Sequence, residues 1–283
     1  VLGSLRTREW VKQDPCQARH PGVAGYTVVV ASTRSLPRKP SQAQVDEAEL
    51  LGADLSGCVL RGLDLRDRDL SGSRLIDCIL ADADLSDAVL DGADLSDTEI
   101  DGARFERASL RGARLCRARG DRSRFDHAVL DGADLTGAVL VAPVFEGASL
   151  ERVTGRDLRI EQLAGAGACL DGAALRDVVV DGGTLAGGSL RGADLAGASL
   201  VQLDLTGSSL SDARLGRARL DRCVLERTVM EGTQLPKAVL RACSFEGVVL
   251  SEIDASGATV RDPSALSPDA EALLQAGGAR LGL

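Results

Sequence analysis

"VLDGADLSD", residues 89–97, sets Leu90 and Leu95 five residues apart, and the same phase runs unbroken from about residue 41 to residue 260. Of the 43 positions at multiples of five from 50 to 260, 39 hold Leu, Ile, Val, Phe or Met; the exceptions are Gly120, Gly155, Gly165 and Ala255. Two residues before each, 33 of 43 positions hold Ala, Ser, Thr, Cys or Gly. A period of five fits neither the 3.6 of a helix nor the 2.0 of a strand. A different backbone path must bury these leucines.

Such a path puts one short extended segment and one corner into every five residues. Four units then close a square coil of 20, and successive coils stack as parallel ladders. Like residues should recur at spacing 20, and Phe105, Phe125 and Phe145 do, with Phe245 five coils further along. Gly52, Gly72, Gly92, Gly112, Gly132, Gly172, Gly192 and Gly232 form a corner column, where glycine supplies the positive φ of a type II turn without a Cβ clash. The large residue of each unit and the small one two before it point inward, each leucine burying roughly 1.5–3 kcal/mol of side chain.

The units "GADLSG" and "GADLSD" resemble the A(D/N)Lxx motif of the pentapeptide-repeat proteins over about three quarters of the chain. The resemblance implies an all-β fold, a right-handed quadrilateral parallel β-helix. At about 4.8 Å per coil, some eleven coils make a rod roughly 50 Å long. It also implies a class of partner, because some members of that family bind DNA gyrase and protect it from quinolones or peptide toxins.

The chain divides into a basic extension at residues 1–40, a solenoid at 41–262 and a tail at 263–283. The extension carries seven basic residues against Glu9 and Asp14, four of the eight prolines, and the only Trp and Tyr. It reads as disordered, with Gly25 to Ala31 as a candidate edge strand. Ser41 followed by Gln44 has the spacing of a capping box, so a short helical turn is expected to plug the first coil. Ser267-Pro268 reads as N-cap and first residue of a helix of about nine residues that ends at Gly277 and caps the last coil. Leu266, Leu273 and Leu274 give that tail an apolar side, a candidate cap and homodimer surface. Between Val153 and Gly165 the large and small positions swap. Asp157 could cap a short helix over Leu158 to Ala164, and a distorted or looped-out coil is expected near 153–167.

Net charge is −9, unevenly spread. Residues 41–100 hold fifteen acidic residues against four arginines, a net of −11, whereas residues 101–160 hold eleven arginines and nine acids. At spacing 20, Asp54 and Asp94 share a face with Arg74 between them. Asp64 and Asp84 stack on the opposite face, and Asp67 with Asp87 and Asp77 with Asp97 form corner columns. Stacked like charges repel. These eight aspartates are the candidate partner-binding residues; a bland reading is that aspartate suits corners and keeps the surface polar.

Seven cysteines occur without any CxxC. Cys58 with Cys78 and Cys223 with Cys243 fall one coil apart in the small inward position. They read as small apolar side chains, with disulfides left open and no zinc site. His20 and His127 have no nucleophile, phosphate loop or metal spacing around them, so neither catalysis nor a cofactor is expected. No apolar run reaches membrane length and no secretory leader stands out, which points to the cytoplasm. The expected function is a protein-interaction scaffold. The alternative is a DNA mimic whose ordered carboxylates compete for a basic groove in gyrase. Direct nucleic-acid or membrane binding is not expected of so acidic a rod.

Overall fold

The structure is a computed structural model, and it describes residues 36–282. The readings made for residues 1–35, including the candidate strand at Gly25 to Ala31, lie outside the described residues.

Each five-residue unit repeats one set of backbone hydrogen bonds. Ala53 N–H donates to Leu50 O (3.1 Å), closing a four-residue turn whose third residue, Gly52, has φ +64°. That positive φ is the signature of the type II corner. Leu55 N–H donates to Arg74 O (2.7 Å) in the coil above, and Arg74 N–H returns a bond to Ala53 O (2.8 Å). The register is 20 along the rod. One ladder runs Asp54, Arg74, Asp94, Arg114, Asp134, Thr154, Ala174, Asp194, Arg214, with Gln234 and Asp254 continuing it. Four corners per coil and a constant offset of 20 make the chain a quadrilateral parallel β-helix.

On one side the units lengthen into a nine-stranded parallel sheet. Its strands are β1 (Arg119–Asp121), β2 (Val139–Val141), β3 (Arg159–Ala164), β4 (Val179–Thr184), β5 (Ser199–Asp204), β6 (Arg219–Asp221), β8 (Val239–Arg241), β10 (Thr259–Arg261) and β11 (Arg280–Gly282). On another side β7 (Val229–Glu231) pairs with β9 (Val249–Ser251). The remaining contacts between coils are single paired residues at each unit.

The core is one continuous column of leucines lined by small residues. Phe105, Phe125 and Phe145 stack with ring centroids 4.8 Å apart and planes within 2° and 8° of parallel. That distance is the coil rise, since residues held in register must repeat at the spacing of the hydrogen-bonded strands.

The region of Val153 to Gly165 departs from expectation. No helix forms over Leu158 to Ala164, and no loop is expelled: β3 occupies Arg159–Ala164 and keeps register with β2 and β4. The swap of sizes explains why. A Cβ at Gly155 would lie 2.8 Å from Leu175 Cδ2 and 3.2 Å from Leu158 Cδ2, and one at Gly165 would lie 2.8 Å from Leu185 Cδ2. Leucines from the normally small position and from the coil above fill the vacated space, so inward volume is roughly conserved and the backbone need not move. A residual apolar cavity of about 50 Å³ remains along these coils, lined by Phe145, Leu158, Leu163, Leu185 and their neighbours.

Both open ends are covered. At the first coil α1 (Gln42–Asp46) starts with the capping box of Ser41 and Gln44. The Gln42 amide then acts as a missing strand: Nε2 donates to Asp64 O (2.8 Å) and Oε1 accepts from Asp64 N–H (2.9 Å). At the far end α2 (Pro268–Ala276) is capped by Ser267, whose hydroxyl accepts from Ala270 N–H, and it stops at Gly277. Leu274 and Ala270 are buried against the last coil, and β11 extends the sheet beyond β10. Unpaired strand groups and core are thereby shielded.

Candidate interaction surface

The backbone N–H of the residue after the central leucine meets carboxylates in several units. In one column the acceptor sits one coil away, as where Arg111 N–H donates to Asp91 Oδ1 (3.0 Å); in others an aspartate one residue before the leucine supplies it. Asp54 Oδ1 accepts from Ser56 N–H (3.1 Å) and Ser56 Oγ (2.6 Å), Asp64 Oδ1 from Arg66 N–H (3.1 Å), Asp84 Oδ1 from Ser86 N–H (3.0 Å), and Asp94 Oδ1 from Ser96 N–H (3.0 Å). This is the local Asx hydrogen bond, and it gives the aspartate of "GADLS" a reason rooted in the fold. Hydrogen bonds to the ionised form hold two of these carboxyls, Asp54 and Asp64, down. Asp54 is lowered chiefly by the Ser56 hydroxyl, and Asp64 falls to about 2 because the Arg66 side chain donates to it.

The corner columns behave differently from the repulsive stacks expected of them. Their acidic members end against an arginine one coil on. Arg107 clasps Asp87 through Nε (2.8 Å) and Nη2 (2.6 Å), and Arg117 clasps Asp97 through Nε (2.7 Å) and Nη2 (2.7 Å). Both carboxyls are lowered, first by those hydrogen bonds. The remaining corner aspartates, Asp67 and Asp77, are exposed, with φ of 60° and 58°, and make no ion pair among the described residues. The structure therefore spreads the eight candidates over four columns around the first coils, engages six of them within the rod and leaves Asp67 and Asp77 outward.

Sequence reasoning missed Glu106. Arg104 and Arg124 stack one above the other, and Glu106 is buried beside them, 3.2 Å from Nε of each, while Ser86 Oγ donates to it (2.9 Å). Asp84 and Asp126 flank the same arginines at 3.5 and 3.3 Å. The signal was present in the spacing, since Ser86, Glu106 and Asp126 share one column. It lacked the side-chain direction that converts a like-charge stack into a network.

The apolar and thiol side chains are distributed as follows. Leu274 faces inward, Leu266 is half-buried, and Leu273 is 43% exposed. Val249 and Val239 stand outward on two sides at 45% and 37% exposure. Cys58, Cys78, Cys223 and Cys243 are buried free thiols, and burial pushes Cys78 up to about 12. Among the described residues no group of three or more His, Cys, Asp or Glu side chains is placed to hold a metal ion, and no helix is long and apolar enough to cross a membrane.

A family model described as pentapeptide repeats matches residues 41–75, 69–107, 103–140, 121–154 and 189–227, more than half of the chain. The chain belongs to the pentapeptide-repeat family. Solved pentapeptide-repeat structures overlay on it in part. Trypsin-treated QnrB1, a plasmid-mediated fluoroquinolone resistance protein, is 16% identical, with 62% of this chain and 89% of that one covered and a TM-score of 0.48. HetL, involved in heterocyst differentiation regulation in the cyanobacterium Nostoc sp. strain PCC 7120, is 25% identical over 71% of this chain and 86% of its own, with a TM-score of 0.30. A pentapeptide repeat protein of the Arabidopsis thaliana thylakoid lumen is 22% identical over 53% and 80%, with a TM-score of 0.22. No curated protein sequence matches this pentapeptide-repeat protein.

Proposed function

We propose that this pentapeptide-repeat rod is a non-enzymatic scaffold in the cytoplasm whose walls recognise a protein partner. One observation carries the reading. The interior is filled by the chain's own leucines, and the outward side chains stand in a fixed lattice at the 4.8 Å rise, ordered by hydrogen bonds to their own backbone. A rigid array of this kind loses little entropy on docking. Asp67 and Asp77, at diagonally opposite corners and without an ion pair among the described residues, are the acidic groups best placed to meet a partner's cations, and Leu273 is the apolar group best placed to join two protomers end to end. In-cell crosslinking with mass spectrometry tests the scaffold. A single dominant protein crosslinked to wild type and lost in Asp67→Lys/Asp77→Lys supports it, and identical crosslinks for both proteins count against these residues.

A second reading, a DNA mimic that binds gyrase, is favoured by the net −11 of residues 41–100 and opposed by the arginines that engage Asp64, Asp84, Asp87, Asp94 and Asp97. Gyrase supercoiling measured with and without quinolone decides it. No effect at micromolar protein removes this reading and leaves the scaffold standing. Neither reading calls for direct contact with nucleic acid or membrane.

A further inference from the structure

One corner column changes character along the rod. In order it holds Asp77, Asp97, Arg117, Gly137, Asp157, Asp177, Gly197, Arg217, Lys237 and Gly257. Low in the column, Arg117 rests on Asp97. Higher up, Arg217 and Lys237 stack directly on each other, with φ of 62° and 60°, Arg217 N–H donating to Pro236 O (2.8 Å). Glycine lies below the pair and above it. Among the described residues neither cation has a carboxylate within ion-pair distance. Two unit charges one coil apart repel by about 1 kcal/mol in water, whereas the corner arginines Arg107 and Arg117 each rest on an aspartate one coil below.

A notch opens beside this pair. It has a volume of about 340 Å³ and is lined by Arg176, Ala196, Gly216, Arg217, Pro236 and Lys237. Its floor is low because Ala196 and Gly216 occupy a column where the coils below carry Arg156 and Arg176. Arg176 is held at the lower end by Asp194 at 2.7 Å, and Pro236 forms the upper end. The notch therefore combines a planar guanidinium fork, an ammonium point charge and a small apolar floor on a chain of net charge −9. General cationic attraction does not account for it.

We propose that this notch binds a phosphomonoester dianion. Two uncompensated cations match a charge of two, the arginine fork fits two phosphate oxygens, and the lysine neutralises the third. A single carboxylate would leave one of the two cations unmatched.

Glutamine removes each charge without disturbing the corner, because Gln162 and Gln202 already occupy such corners with φ of 53° and 50°. The experiment is calorimetric titration of the full chain with inorganic phosphate, with an O-phosphoserine peptide and with a nucleoside monophosphate. It compares wild type, Arg217→Gln/Lys237→Gln, and the control Arg227→Gln, an exposed corner arginine in another column. Saturable one-site binding is expected, weakened about tenfold or more by loss of the charged pair and unchanged in the control. It should also weaken as pH falls through about 6, where the dianion takes up a proton. Tighter binding of the peptide assigns the phosphate to a protein, and tighter binding of the nucleotide assigns it to a small molecule. Absence of saturable binding of all three at millimolar concentration, or equal weakening in Arg227→Gln, overturns the proposal.

Discussion

Arg117 lies one coil above Asp97 and holds both of its carboxylate oxygens at 2.7 Å. The pair is about 41% exposed on each side, so its worth is that of a surface ion pair, under about 1 kcal/mol. Its pH dependence has a definite sign. The Asp97 carboxyl is depressed in the folded protein, so its contribution is complete above the unfolded value of about 3.9 and is lost as pH falls through the lower, folded value. Asp97→Asn should therefore cost a few tenths of a kcal/mol at pH 7 and less near pH 2. Urea melts at the two pH values check this, and a pH-independent difference would mean that the ion pair is not its source.

A second expectation separates inside from outside. Leu135 is 1% exposed within the core, and Leu135→Asp places a carboxylate there without a partner, a cost of several kcal/mol. It should unfold the rod or split its melting transition, as befits coils that contact only their neighbours. Its neighbour Asp134 stands outward and accepts from Thr136 N–H at 3.0 Å, so Asp134→Ala should cost about 1 kcal/mol. Calorimetry distinguishes the two, and equal melts would contradict the inward and outward assignment.

Glu106 offers a sharper electrostatic test. Its side chain is only 7% exposed between Arg104 and Arg124. Glu106→Ala leaves two stacked guanidinium groups without their shared counter-charge, at a cost of about 1–3 kcal/mol, near the lower end of the buried-pair range because both arginines are half-exposed. Adding Arg104→Ala to that variant should recover part of the loss. A double variant less stable by the full sum of the two single changes would show that Glu106 does not couple the arginines.

Two buried hydroxyls carry a prediction in the opposite direction. Among the described residues Ser73 Oγ and Ser123 Oγ have no hydrogen-bond partner, whereas Thr228 Oγ1 at the same inward position reaches Leu205 O at 2.9 Å. Replacing an unsatisfied hydroxyl by hydrogen removes its desolvation cost, so Ser73→Ala and Ser123→Ala should each stabilise by up to about 1 kcal/mol. Thr228→Ala should destabilise by about as much. Thermal melts of the three variants settle the point, and a loss of stability in all three would mean that the hydroxyls are satisfied in solution.

The five-residue phase was legible from the sequence alone because it is a volume code. Leucine at 90 and 95 with alanine at 88 and 93 admits one kind of closed coil, and the recurrence of Phe105, Phe125 and Phe145 sets its size at 20. The capping box at Ser41 and the helix from Pro268 were equally readable, since caps depend on residues three apart. The strand over Arg159–Ala164 was not, because Gly165 reads locally as a helix stop and only the leucines of the next coil show that its missing side chain is replaced.

What the sequence by itself determined is the coil, its length and the list of residues on each wall. What only the tertiary structure decided is which charges remain free. Asp54 and Asp94 turn to their own backbone, Asp87 and Asp97 meet arginines one coil above, and Asp67, Asp77, Arg217 and Lys237 face solvent. The reason is geometric. The repeat fixes which side chains share a column, but whether two neighbours in it attract or repel depends on χ angles and on N–H groups that exist only once adjacent coils are in register.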